Sequence, residues 1–127
     1  MKEFVLMFRM DITTPEAQPT PEQMEAYMKD WMAWINDISV QGRLADGGNH
    51  LSNTGTVLRS NNRLNKAPYT SNNESVSGYI IILAKDMNDA MSIARKCPIL
   101  MGEGTSVEVR ETATPGIIQS TKRASKL

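Results

Sequence analysis

The chain has 127 residues, 40% hydrophobic and 22% charged, which suits one globular domain and leaves too little for a second core. Lys plus Arg and Asp plus Glu number 14 each, so the formal net charge is zero. That excludes the strongly basic face on which nucleic-acid binding usually rests and a broad pull toward an anionic membrane, and no apolar run approaches the ~20 residues that span a bilayer.

Residues 3–9 combine β-favouring side chains with no breaker and predict a strand. Its alternation puts Phe4, Leu6 and Phe8 on one face and Val5, Met7 and Arg9 on the other. The apolar run is too short for a secretory leader and is bracketed by Glu3 and Arg9, so a buried strand is expected instead. A loop over 11–20 carries Pro15 and Pro19. Thr20-Pro21-Glu22-Gln23 then predicts a helix start. Threonine can cap, proline suits the first helical position, and Gln23 can reach back as in a capping box. Met24, Met28, Trp31, Ile35 and Ile38 recur at spacings of three and four, one apolar stripe on a helix running to about Gln41. Trp34 lies somewhat off this stripe and is expected at an edge or a ligand mouth, and Gly42 is expected as a left-handed stop.

Residues 43–75 predict short strands joined by turns. Asp46-Gly47-Gly48-Asn49 reads as a turn, 54–59 as a strand, Ser60-Asn61-Asn62 as the next turn, and 63–66 as a strand pairing back. Thr70 to Ser75 is polar loop, and Gly78 to Ala84 is a strand that is apolar on both faces. Asp86 is expected to cap a second helix over 87–96, with Met87, Ala90, Met91 and Ala94 inward and Asp89 in the first turn. Cys97-Pro98 ends it. In a last strand over 105–110, Thr105, Val107 and Val109 face one side and Ser106, Glu108 and Arg110 the other. The domain is expected to close at residue 113, with 114–127 a polar tail.

The resulting order, β-α-β-β-β-α-β, predicts an α+β fold with two helices on one face of an antiparallel sheet. One helical layer covers one face only. Strands 79–83 and 4–8 are apolar on both, so the second face is expected to be hidden by a homodimer stacked sheet to sheet. Cys97 is the one cysteine, which rules out an internal disulfide and leads to the expectation of a cytoplasmic protein.

Four stretches resemble the YCII-related family, in particular its DGPF-type branch. They are the strand Phe4–Phe8; Gly47-Gly48-Asn49-His50-Leu51; Lys66-Ala67-Pro68-Tyr69 with Glu74 and Gly78-Tyr79 after it; and Ala94-Arg95-Lys96-Cys97-Pro98 followed by Ser106-Val107-Glu108-Val109-Arg110. Together they span about residues 3 to 111. The resemblance implies a ferredoxin-like α+β fold assembled as a dimeric α/β barrel. Some relatives are proposed to act on small organic compounds, in muconolactone-isomerase-like or dehalogenase-like chemistry with a His–Asp pair, and others are joined to sigma factors. Lys66 and Ala67 stand where the family has the aspartate and glycine of its motif. A lysine has no acceptor with which to orient a histidine, so the acid of such a pair is missing at that position.

His50 is the only histidine and the candidate general acid or base, with Asp46 near enough in sequence to orient it; a surface turn histidine is the plainer alternative. Arg9, Lys66, Tyr69, Glu108 and Arg110 are the candidate ligand-binding residues: cations for an anionic group, a phenol for a hydrogen bond, and strand charges that need partners if buried. No His or Cys spacing suggests a metal, and no motif implies a cofactor. Two functions stay open. The first is binding of a small organic molecule in a cavity near the dimer's sheet interface, with an isomerase- or lyase-type enzyme using His50 as its catalytic form. The second is a non-catalytic dimeric interaction or regulatory module.

Overall fold

The computed structural model describes residues 1–113; the tail expected over 114–127 lies outside the described residues. Six strands and two helices follow one another as β1 (Lys2–Asp11), α1 (Pro21–Val40), β2 (Leu44–His50), β3 (Val57–Leu58), β4 (Leu64–Asn65), β5 (Glu74–Ala84), α2 (Met87–Ala94) and β6 (Thr105–Glu111). Four strands form an antiparallel sheet in the order β2-β5-β1-β6, and β3 pairs with β4 in a separate hairpin. Because every neighbour is antiparallel, β1 runs parallel to β2, and β5 to β6. Each such pair is joined through a helix, and the result is the ferredoxin-like α+β arrangement.

The core lies between the sheet and the helices. Phe4, Leu6 and Phe8 of β1 and Ile80, Ile82 and Ala84 of β5 are buried against Trp31, Trp34 and Ile38 of α1 and Ala90 and Ala94 of α2. Phe8 meets Trp31 edge to face, with ring centroids 4.7 Å apart. Such a pair adds about 1 kcal/mol to what burial alone contributes. Trp34 is buried, not set at an edge. Its indole Nε1 donates to the Ile93 carbonyl at 3.2 Å, so α2 closes over it and the buried arc of α1 is wider than the five-residue stripe. Met24 and Met87, expected inward, are exposed because each lies in the first turns of its helix, away from the packed centre.

Local signals set the helix ends. The Thr20 hydroxyl accepts from Gln23 N at 3.1 Å and the Gln23 side chain accepts from Thr20 N at 2.9 Å, a complete capping box. At the other end Gly42 takes φ +71°, Gly42 N donates to Ser39 O and Arg43 N to Ile38 O, the paired bonds of a Schellman turn. Asp86 caps α2 through Asp89 N at 2.9 Å. That helix stops at Ala94, two residues short of expectation, and a 3-10 turn at Pro98–Met101 leads away from it.

Between 43 and 75 the structure departs most from the reading of the sequence. Asp46-Gly47-Gly48-Asn49 is part of edge strand β2. The turn chemistry is present, since the Asp46 carboxylate accepts from Gly48 N at 2.8 Å and Gly48 has φ +61°. It produces two register shifts against β5 where a chain reversal was expected. The strand expected over 54–59 shrinks to Val57–Leu58, which pairs with Leu64–Asn65 across the turn at Asn62. β5 starts at Glu74, inside the expected loop.

No helix of the described residues lies over the sheet's other face. Cross-strand partners share a face, so Val5, Met7 and Arg9 stand with Tyr79, Ile81, Glu108 and Arg110 on that side. Val5, Met7, Ile81 and Leu83 are half-buried there and Tyr79 is 36% exposed. No helix of the described residues is long and apolar enough to cross a membrane.

Candidate functional site

β2 ends at His50, and a cavity lies on each side of that end, Leu51 lining both. Leu51 N donates to Ser77 O at 2.8 Å, which carries the β2–β5 pairing past the strand end and holds this partition in place.

The first cavity, about 670 Å³, lies toward the sheet face opposite α1 and α2. Arg9, Glu74 and Val76 form its sheet wall, and Tyr69 and Ser71 belong to the loop segments around it. Its charged groups are held in place. Arg9 Nη1 is 2.7 Å from Glu108 Oε1, and Glu74 Oε1 accepts from Ser106 Oγ at 2.9 Å. The Arg9 guanidinium keeps the Glu108 carboxyl below the usual carboxylate range, with Arg110, 3.4 Å away, adding to the effect. Tyr69 is exposed at the rim. Its carbonyl accepts from Ser75 Oγ at 2.6 Å, and the Arg59 guanidinium lies 5.9 Å from its ring centroid. A site with one arginine, one glutamate, a phenol and several hydroxyls over an apolar strand can hold a small polar organic molecule in one orientation.

The second cavity, about 890 Å³, lies at the start of α1, between the loop after β1 and the turn before β6. His50 and Tyr27 line it. The His50 ring sits 5.4 Å from the Trp31 ring, because His50 pairs with Gly78 and therefore faces the helices. Asp46 pairs with Ile81 and so belongs to the opposite face; its carboxylate serves the Gly48 N–H within its own bulge. Burial pushes the Tyr27 phenol up, with Cys97 contributing, and pushes the Cys97 thiol up to about 12. Hydrogen bonds from Thr14 and Thr13 hold Asp11, on the cavity wall, at about 2.

The candidate residues are thus divided. Arg9 and Tyr69 share the first cavity and His50 belongs to the second. Glu108 and Arg110 stand on the open sheet face outside both linings, and Lys66 is exposed outside both. Sequence reasoning did not place Glu74, Ser71 or Leu51 at a site. Glu74 carried a signal in its position between the Pro68-Tyr69 loop and the apolar strand. It also missed Arg43, whose guanidinium makes two bonds to Asp89, at 3.1 and 2.8 Å, and ties the start of β2 to α2. That contact holds the Asp89 carboxyl below its ordinary range.

The model of the YCII-related domain matches residues 5–113, from within the first half of β1 to the end of the described chain. The chain belongs to the YCII-related family. No curated protein matches it. The match takes in both cavities and all four sheet strands of this YCII-related protein except the first three residues of β1. It also takes in Lys66 and Ala67, which precede Pro68 and Tyr69 on the first cavity's wall. Among the described residues no group of three or more His, Cys, Asp or Glu side chains lies close enough together to hold a metal ion.

Proposed function

We propose that this YCII-related protein binds a small organic acid in the cavity formed by Arg9, Tyr69, Ser71 and Glu74, and that a second copy covers the adjoining sheet face. The observation that carries the reading is the place of Arg9: its guanidinium lines a cavity of about 670 Å³ at the edge of the half-apolar sheet face opposite the helices. That volume lies within the roughly 300–1,000 Å³ usual for ligand sites. One part of the planar guanidinium meets Glu108, and its five N–H donors leave others for a carboxylate. Tyr69 and Ser71 supply hydroxyls at the rim.

Dimerisation follows from the same face. Val5, Met7, Tyr79, Ile81 and Leu83 form a continuous apolar surface with the Arg9–Glu108–Arg110 charges along one side. A monomer seldom leaves such a surface in water. Stacking two sheets would remove it and narrow the mouth of the cavity.

A thermal-shift screen of small organic acids tests the binding, since a ligand specific for the native state raises the midpoint. The expected result is a rise with at least one acid that is lost in Arg9→Met. No rise with any acid, or a rise retained in Arg9→Met, overturns the reading and leaves the non-catalytic interaction module. Light scattering at micromolar concentration tests the dimer. The wild type is expected at twice the chain mass and Ile81→Lys at the single mass with an unchanged far-UV spectrum.

A further inference from the structure

We propose that the second cavity, at the start of α1, binds an organic cation with an apolar body, such as an arylalkylamine. Its walls are more apolar than polar, with Met24, Met28 and Ile99 among them, and its volume of about 890 Å³ suits a molecule of that size. The charged side chains that line it are Asp11, Glu16, Asp30 and Glu103, and no lysine or arginine is among the described residues of the lining. In a chain of zero net charge that bias is local to the cavity.

The four carboxylates come from separate elements: Asp11 from the end of β1, Glu16 from the 3-10 turn, Asp30 from α1 and Glu103 from the turn before β6. They do not converge on a metal-sized point. A spread negative field over an apolar wall favours a cation that brings its own apolar body, because a bare ion would keep its water and leave the wall wet. Tyr27 adds a ring at the wall, packed at 5.9 Å on Trp31, which can take an ammonium group against its face. His50 stands on the same wall, where an unprotonated imidazole nitrogen can accept from an amine N–H. Asp11 is fixed as an anion by the N–H groups of Thr13 and Thr14, at 2.8 and 3.0 Å.

This reading does not rest on the organic-acid site. The two cavities share Leu51 but not a charged residue, so each can fail without the other.

The test uses calorimetry and thermal shift on the full chain at pH 7.5 with phenethylamine and, as the anion of matched shape, phenylacetate. Phenethylamine is expected to bind and to raise the midpoint, more weakly as salt rises. The double variant Asp30→Asn/Glu103→Gln is expected to lose at least roughly tenfold in affinity, the loss of a charge-assisted contact. Arg9→Met is expected to keep it. Both replaced carboxylates are on exposed residues, so the double variant should fold, and Glu103→Gln alone serves if it does not. Amide NMR shifts on adding phenethylamine are expected at Met24, Tyr27 and His50, not at Ser71 or Glu74. No binding of phenethylamine, equal affinity in the double variant, or shifts centred on Ser71 overturns the proposal.

Discussion

Arg9 and Glu108 meet at 2.7 Å on the sheet face opposite α1 and α2. They lie on adjacent strands but not directly opposite: Arg9 faces Ser106 and Glu108 faces Met7, so the contact is a diagonal one that only long side chains can span. Glu108 also accepts from Arg110 at 3.4 Å, which makes it the anion between two cations. Any acid bound by Arg9 therefore enters a site where the arginine is already oriented.

The Glu108 carboxyl gives a pH test of this arrangement. Arg9 lowers its folded pKa below the ~4.3 of an unfolded chain. The stability this contributes is present above ~4.3 and is lost as pH falls through the lower folded value. Carboxyl NMR should show Glu108 titrating below ~4.3 in the wild type and closer to it in Arg9→Met. The urea midpoints of the two proteins should differ more at pH 7 than at the acid end.

Two adjacent glycines should behave oppositely. A Cβ on Gly48 would lie 1.6 Å from the Tyr79 carbonyl oxygen, and the backbone there has φ +61°. Gly48→Ala is expected to destabilise by more than about 2 kcal/mol, since the left-handed conformation alone costs about half of that or more and the clash with backbone adds to it. A Cβ on Gly47 meets nothing within 4 Å, so Gly47→Ala should be neutral or stabilise by up to about 1 kcal/mol. Urea unfolding of the pair checks the contrast.

Removing the cap on α1 should cost about 1 kcal/mol. Thr20→Ala leaves Gln23 N without its side-chain acceptor, and Thr20→Ser retains one. The urea midpoint is expected to fall in the alanine variant with the m-value unchanged, and to stay near wild type in the serine variant.

Cys97 should be inert in the native protein. The residue is 2% exposed and burial pushes its thiol pKa up to about 12, so almost none is thiolate at pH 8. Reaction with an aromatic disulfide reagent is expected to be slow in buffer and immediate in denaturant. Fast reaction in buffer would mean that the turn after α2 opens readily.

What the sequence determined alone was what a few neighbouring residues decide. Phe4, Leu6 and Phe8 alternate into the core, Thr20, Pro21 and Gln23 start α1, Gly42 stops it, and Asp86 caps α2. Each depends on interactions within about four residues, and those are written in order along the chain. Tertiary structure decided the rest. Asp46-Gly47-Gly48-Asn49 has the residues of a turn, yet β5 lies alongside and offers a ladder, so the same φ +61° at Gly48 makes a bulge in an edge strand. Trp34 is in the core because α2 brings the Ile93 carbonyl to its indole from 59 residues away. His50 and Asp46, four apart in sequence, face opposite sides of the sheet because the register of β2 on β5 shifts between them. That shift also sends His50 to one cavity while Arg9 and Tyr69 line the other. Side-chain parity in a strand is set by its partner, and no spacing within the strand itself can report it.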